Sequence, residues 1–245
     1  MLAPMLRLIA AISRNTFVES IRQPIFFILV LAGIIAQIFN VFLSAYSLGY
    51  TEEKEVSGDN KLLLDMGLAT VMVVGLLLAA FVATSVISRE IENKTVLTVV
   101  SKPIGRPAFV IGKFLGVAGA ILVAVLILLT HLMFAIRHEV MSTARDEIDM
   151  VVVLFGGGFG IVLPVLLAIW GNYFFGWIFS STATFIMLPA SLLSYLITLT
   201  IDKEWALQPI GADFKPQILL AALCAVLALM VLTALAVALS TRLGQ

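Results

Sequence analysis

An uncharged stretch constrains this chain more than any other feature of its sequence. No Asp, Glu, Lys or Arg occurs in the 52 residues from Met150 to Ile201. A stretch of this length cannot present a solvated face to water, and it is long enough for two bilayer crossings of about 20 residues each. Of all 245 residues, 61% are apolar and 12% charged, whereas soluble domains have about 45–50% and about 25%. The sequence therefore predicts an integral membrane protein.

Six apolar runs are long enough to cross the membrane as helices, which satisfy their own backbone hydrogen bonds in hydrocarbon. The predicted spans are residues 25–48, 66–87, 114–136, 150–177, 182–201 and 217–240. A turn between the fourth and fifth spans is predicted near Gly176 to Ser181, where glycine and serines interrupt the apolar pattern. These runs predict an all-α fold with a transmembrane domain over residues 25–245.

Residues 1–24 form a different kind of segment ahead of the first span. On a helical wheel, Arg7, Arg14 and Arg22 fall on one side and the apolar residues largely on the others. This pattern predicts an amphipathic helix in the cytoplasmic interface, with its basic face towards lipid headgroups. Pro24 ends that helix and turns the chain into the membrane. The alternative is a frayed basic tail.

The charges between the spans predict the orientation. One side of the membrane carries nine basic residues and the other carries six. The basic residues of the first side are Arg7, Arg14, Arg22, Arg89, Lys94, Lys102, Arg106, Lys113 and Arg242. Lys and Arg accumulate in short cytoplasmic loops, so we expect this side, with both termini, to be cytoplasmic.

The predicted loop 88–113, between the second and third spans, is the most charged cytoplasmic segment. Glu90 and Lys94 are four residues apart, a spacing that supports a helix. Ser101-Lys-Pro ends that piece, and Pro107 suits the first turn of the next helix. The pattern predicts a short helix on the membrane surface, tied at both ends to spanning helices. The alternative is a basic loop that only sets the topology.

This loop resembles the first cytoplasmic loop of ABC transporter permeases of the type-2 (exporter) class. The resemblance rests on Glu-Ile-Glu from Glu90, Lys94-Thr, Ser101-Lys-Pro, Arg106-Pro and Gly112-Lys. The segment Phe17-Val-Glu-Ser-Ile-Arg-Gln-Pro also resembles the pre-membrane helix of that family. The resemblance covers residues 14–120 best and the remainder only in hydropathy.

The resemblance implies that the loop is a coupling helix, which docks on a separately encoded ATP-binding cassette subunit. By the same resemblance, the docking surface comprises Glu90, Glu92, Lys94, Thr95, Ser101, Lys102, Pro103 and Arg106. It further implies pairing with a second permease copy or paralogue, and a place in a prokaryotic inner membrane. ATP and magnesium would be bound by the partner subunit, because Gly105 to Lys113 lacks the spacing of a phosphate-binding loop. We expect no cofactor, no metal and no nucleic acid on this chain.

Two further sets of residues, one small and one polar, predict how the spanning helices pack and what lies between them. The small residues Gly112, Gly116, Ala120 and Ala124 recur every four positions, a spacing that lets helices approach closely. A hinge used in opening is the alternative. Gln37 and Asn40 are polar, lie on one face of the first span and could line a translocation path or bond a neighbouring helix. His131 and Asp65 are predicted to be interfacial.

The sequence contains no constellation typical of an enzyme: no His-Glu-x-x-His, no Gly-x-Ser-x-Gly and no Cys/His cluster. The predicted function is therefore that of the membrane-spanning permease subunit of an ATP-driven exporter, without catalysis of its own. The alternatives are a secondary transporter or channel, which would need ionisable residues near the midplane, and an intramembrane enzyme.

Overall fold

The computed structural model describes residues 2–44, 52–92, 106–140, 147–212 and 215–243. These residues form seven helices, and the described part of the chain contains no β-strand beyond one isolated bridge between Ile201 and Leu207. The helices are α1 (Leu2–Ile21), α2 (Pro24–Leu43), α3 (Glu52–Glu92), α4 (Arg106–His138), α5 (Met150–Phe175), α6 (Phe179–Thr198) and α7 (Pro216–Leu243).

The predicted all-α fold with six helices that can span a membrane is confirmed. Helices α2 to α7 each contain a stretch long and apolar enough to cross a membrane. The helix of the second predicted span, α3, is longer than its apolar run. It continues unbroken for 41 residues and includes charged residues at both ends. The turn between α5 and α6 falls at Gly176, which has a φ of 67° and so adopts the left-handed conformation that favours glycine.

Helix α4 lies at the centre of the bundle. In its most apolar window 72% of the residues are buried, against 28–44% in the other spans. Its side chains Ile121, Leu128 and Leu132 are fully buried, and each buried side chain of this size contributes about 1.5–3 kcal/mol. Most of the middle of α4 is therefore covered by other helices, although some of its side chains, such as Leu122 and Leu126, remain exposed.

The spans alternate in direction, so their ends collect on two opposite sides of the bundle. At one side, here called the Arg22 end, the Ser180 hydroxyl of α6 donates to the Arg22 carbonyl at 2.7 Å. The Ser85 hydroxyl of α3 donates to Gln23 Oε1 there, at 2.8 Å. The other side, here called the Arg137 end, brings Arg137 at the end of α4 to Asp149 at the start of α5.

Helix α4 extends well beyond the other spans at the Arg22 end. Gly33 of α2 lies against Leu128 of α4, since a Cβ added there would meet its side chain at 2.6 Å. Both helices run in the same direction, and Pro24 is nine residues before Gly33. Pro24 therefore lies at about the same height in the bundle as Gly119, which is nine residues before Leu128. At 1.5 Å per residue, Arg106 then lies about 20 Å beyond the level of Pro24.

The predicted N-terminal helix is present as α1, and it packs lengthwise against this extension of α4. Ile12 lies against Gly112 and Thr16 against Gly116, so the two helices run in the same direction. Arg7 and Arg14 of α1, and Arg22 directly after it, are all exposed. One face of α1 is thus covered by protein, and its basic face stays free of it.

Helix α5 contains a ten-residue π-helix, Val153–Val162, between a short α-helical turn and the α-helix Leu163–Phe175. The N–H of Leu163 bonds to the carbonyl of Gly158, five residues back. Pro164 follows at once, and proline has no N–H to give to the carbonyl four residues before it. The π-helix therefore ends beside a residue that cannot donate a backbone hydrogen bond in either register. Such segments are frequent at functional sites.

Candidate functional site

The predicted docking loop is described only at its two ends. Glu90 and Glu92 belong to the last turn of α3, and Arg106 is the first residue of α4. The other predicted docking residues (Lys94, Thr95, Ser101, Lys102 and Pro103) lie outside the described residues. The structure therefore fixes the helices that flank residues 93–105 and leaves their docking role a prediction.

The four small residues on α4 (Gly112, Gly116, Ala120 and Ala124) contact two different parts of the structure. A Cβ added at Gly112 would lie 2.8 Å from the Cβ of Ile12, and one at Gly116 would lie 2.6 Å from the carbonyl oxygen of Ser13. Ala120 and Ala124, further along, are fully buried in the main core. The two glycines therefore allow α1 to pack closely against α4, and the two alanines pack among the membrane-spanning helices.

The polar residues of α2 both bond to α3. Gln37 donates from Nε2 to the carbonyl of Gly67 at 3.0 Å. Asn40 donates from Nδ2 to the Thr70 hydroxyl, also at 3.0 Å. Both side chains are buried, so these bonds join the two helices inside the membrane. Gln37 also reaches a cavity, whereas Asn40 is absent from the residues that line it.

That cavity lies between α2, α4 and the π-helical part of α5, towards the Arg137 end. Its volume is about 410 Å³, which falls in the range typical of small-molecule sites. Among the described residues, those that line it are apolar except for Gln37, His131 and His138. Exposed apolar side chains at its edge, among them Ile38 and Val153, place its mouth on the outer surface of the bundle.

His131 is the residue of this cavity whose position the sequence did not indicate. It is only 6% exposed and lies among packed helices; its interfacial depth in the membrane stays a prediction. Its Nδ1 lies 2.8 Å from the carbonyl oxygen of Ile127. A carbonyl can only accept, so Nδ1 carries the proton and Nε2 of the neutral ring is an acceptor. No hydrogen-bond partner reaches Nε2.

The ion pair at the Arg137 end also went unpredicted. Arg137 Nε lies 3.5 Å from Asp149 Oδ2, and the two side chains are 4% and 0% exposed. The other carboxylate oxygen of Asp149 accepts from the N–H groups of Val151 and Val152 and caps α5. Arg137 also donates to the carbonyl of Ile201. One buried arginine thus joins α4, α5 and the segment after α6.

Within the described ranges, no group of three or more His, Cys, Asp or Glu side chains is arranged to hold a metal ion. The described residues form a bundle of six helices long and apolar enough to span a membrane, a cavity among them, and two long helices on either side of residues 93–105.

Comparison with known proteins identifies the family. The model of the ABC-2 family transporter proteins matches residues 10–170, which run from α1 into α5. This match covers more than half of the chain, so the protein belongs to the ABC-2 transporter family. It is a multi-pass membrane protein of the permease type. Neither a curated protein nor a solved structure matches the chain.

Proposed function

We propose that this chain is the membrane-spanning subunit of an ATP-driven exporter. A separate ATP-binding cassette subunit would bind ATP and magnesium and hydrolyse the nucleotide, and a second permease copy or paralogue would complete the pore. The observation that carries the proposal is the family match over residues 10–170. We place the protein in a prokaryotic inner membrane with both termini in the cytoplasm, since the basic residues favour that orientation.

The helices beside the docking loop support a coupling role. Residues 93–105 connect α3 to the extension of α4, and α4 continues into the centre of the bundle. A partner that binds this loop would therefore act on the extension of α4, a lever about 20 Å long that leads into the bundle. The packing of α1 along the lever adds a second surface at the same end of the molecule.

Transport would then follow from a two-state bundle. ATP would bring two motor subunits together, their movement would pull the docking loops, and the spans would change from inward-facing to outward-facing. Nucleotide can bias this equilibrium only through a difference in its affinity for the two states. The permease itself would break no covalent bond.

Co-purification tests the proposal. The full chain, tagged and isolated in mild detergent from its native membrane, should bring an ATP-binding cassette subunit with it, identified by mass spectrometry. The complex in proteoliposomes should hydrolyse ATP and be stopped by vanadate. A chain that purifies alone and moves solute under an ion gradient would instead be a secondary transporter.

A further inference from the structure

We infer that the turn between α5 and α6 is a lipid-binding surface, which anchors the bundle in the headgroup region of the leaflet at the Arg22 end. The surface consists of five aromatic residues, here called the aromatic patch: Trp170, Tyr173, Phe174, Phe175 and Trp177. The inference goes beyond the exporter function and does not rest on it, because it concerns only the contact between the bundle and the bilayer.

The aromatic patch is exposed although its side chains are large. Tyr173 is 81% exposed, and the other four residues are 50–64% exposed. A contiguous exposed apolar surface marks a site of interaction with a protein or with a membrane. The centroid of the Phe175 ring lies 5.2 Å from the centroid of Trp170 and 5.2 Å from that of Trp177. Phe174 contacts Trp170 and Tyr173 in the same way, so the patch is one continuous surface.

The fold holds the patch in a fixed position. The chain reverses at Gly176, whose N–H donates to the carbonyl of Asn172 at 3.1 Å. The Asn172 side chain in turn donates from Nδ2 to the carbonyl of Trp177 at 2.6 Å. The Trp177 ring lies back over α5, because a Cβ added at Gly171 would meet it at 2.6 Å. Trp170 directly precedes Gly171 in the chain, so the two indole rings lie beside the same turn of α5.

The length of α6 places the patch at the edge of the hydrocarbon. Helix α6 has 20 residues, which span about 30 Å at 1.5 Å per residue, the thickness of the hydrocarbon core. The first charged residue after it, Asp202, must lie outside that core. Phe179 at the start of α6 then lies at the opposite edge, and the preceding turn lies at the same depth. Ser180 donates to the carbonyl of Arg22, so this edge is the one at the Arg22 end.

Two observations identify the occupant of the patch as lipid rather than another protein. Leu163 and Leu166 precede Trp170 by seven and four residues, so they continue the patch along one face of α5. Both are exposed and belong to a membrane span, so the patch is continuous with a lipid-facing surface. The turn also lacks the charges that accompany a loop in water, because no Asp, Glu, Lys or Arg occurs from Met150 to Ile201.

Tryptophan and tyrosine suit the headgroup region chemically. Their rings are apolar, whereas the indole N–H and the phenol hydroxyl donate hydrogen bonds. The headgroup region supplies phosphate and ester oxygens as acceptors, and both residue types accumulate at membrane–water interfaces. Trp170, Tyr173 and Trp177 therefore hold the turn at a fixed depth. A shift towards water would expose their rings, and a shift towards the bilayer centre would leave their donors unpaired.

Fluorescence quenching tests the depth of the patch. The full chain is placed in nanodiscs, and Trp205, the only tryptophan outside the patch, is replaced by Phe. The quenchers are phosphatidylcholines brominated near the ester groups or near the chain end, and aqueous acrylamide. We expect the shallow bromines to quench about twofold more strongly than the deep ones, because indoles prefer the interface. Rings covered by a second copy or by a partner would escape both lipids, and rings in water would respond to acrylamide alone. Either result would overturn the inference.

A reporter cysteine tests the anchoring itself. In a Cys224→Ser background, an Ile178→Cys variant places a thiol in the turn, and its rate of reaction with a water-soluble reagent is measured. Leucine at the three positions with donors (Trp170, Tyr173 and Trp177) keeps the surface apolar but removes its preference for the interface. We expect this triple replacement to slow the reaction several-fold, because the turn then sinks into the hydrocarbon.

The matched control uses the other aromatic pair of α5. Phe155 and Phe159 stack at 5.5 Å within the π-helix, away from the turn, so their replacement by leucine should leave the reaction rate unchanged. An unchanged rate in the triple variant would show that the patch does not set the depth of the turn, and would overturn the anchoring. The quenching measurement leaves the patch intact and so decides the lipid contact even if the triple variant does not fold.

Discussion

Arg137 and Asp149 form an ion pair, 3.5 Å from Nε to Oδ2, in which both side chains are almost completely buried. The pair joins the end of α4 to the start of α5. Breaking a buried pair leaves one charge without compensation and typically costs about 3–5 kcal/mol. We expect Asp149→Asn, which keeps a capping oxygen and loses the charge, to lower the melting temperature of the detergent-solubilised protein strongly.

The matched control for that variant is the exposed pair of Lys203 and Glu139, 3.8 Å apart and 40% and 50% exposed. Exposed pairs contribute about 0–1 kcal/mol, so Glu139→Gln should leave the melting temperature nearly unchanged. Similar shifts for the two variants would show that Arg137 and Asp149 are not buried as described.

The contact between α1 and α4 can be tested at two glycines one turn apart. A Cβ at Gly116 would lie 2.5 Å from the Cβ of Thr16, whereas one at Gly119 would meet the Phe17 ring at 3.4 Å. Overpacking costs about 1–3 kcal/mol, so Gly116→Ala should displace α1 and Gly119→Ala should not. In a Cys224→Ser background, a cysteine at Thr16 should react faster with a thiol reagent in the first variant only.

The polar residues of α2 should differ in their effect on transport. Gln37 lines the cavity and Asn40 bonds Thr70 outside its lining. If the translocation path uses this cavity, Gln37→Leu should impair transport while complex assembly stays intact. Asn40→Leu should cost only an interhelical bond, about 0.6 kcal/mol. Loss of assembly in both variants would show that Gln37 and Asn40 serve to pack α2 against α3 and do not line a translocation path.

The docking role of the loop can be tested by charge reversal. Changing Glu90 and Glu92 to Lys removes the acids that basic groups of a motor subunit would meet, and a lost partner of a buried, hydrogen-bonded charge costs about 2–5 kcal/mol. The double variant should still insert, because no residue of the apolar spans changes. Its ATP-binding subunit should dissociate, or hydrolyse ATP without transport. Normal transport by this variant would contradict the docking role and would favour the alternative that the loop only sets the topology.

The orientation can be measured by cysteine labelling in intact cells, again without Cys224. Cysteines at Ser57 and Thr143 should react with an impermeant thiol reagent added outside, and one at Thr98 should not. This result is expected because the basic residues accumulate on the side that includes Thr98. External labelling at Thr98 would reverse the topology and remove the loop from the cytoplasm.

The number and order of the spans could be predicted because lipid imposes a length and an apolar composition on each one. The ends of helices could not be predicted in this way. Hydropathy shows where a helix leaves lipid, but Glu52–Glu92 stays helical through charged residues that are themselves compatible with a helix.

The cavity could not be predicted from the sequence because it depends on contacts between distant helices. Gln37 was correctly recognised as a polar residue inside a span, but its partner Gly67 follows from packing alone. His131 resembled an interfacial residue since it lies near the end of an apolar run, and only the bundle shows that it is enclosed. The π-helix has no periodic signal; only Pro164 and the glycines before it are compatible with it.

The turn after α1 has a mechanical consequence. Ser180 holds the carbonyl of Arg22 and Ser85 holds the side chain of Gln23, so one short turn is anchored to two different spans. A displacement of α1 along its axis must either break both bonds or carry α3 and α6 with it. The Arg22–Gln23 turn is therefore a mechanical link, through which a force applied to the N-terminal helix would reach both α3 and α6.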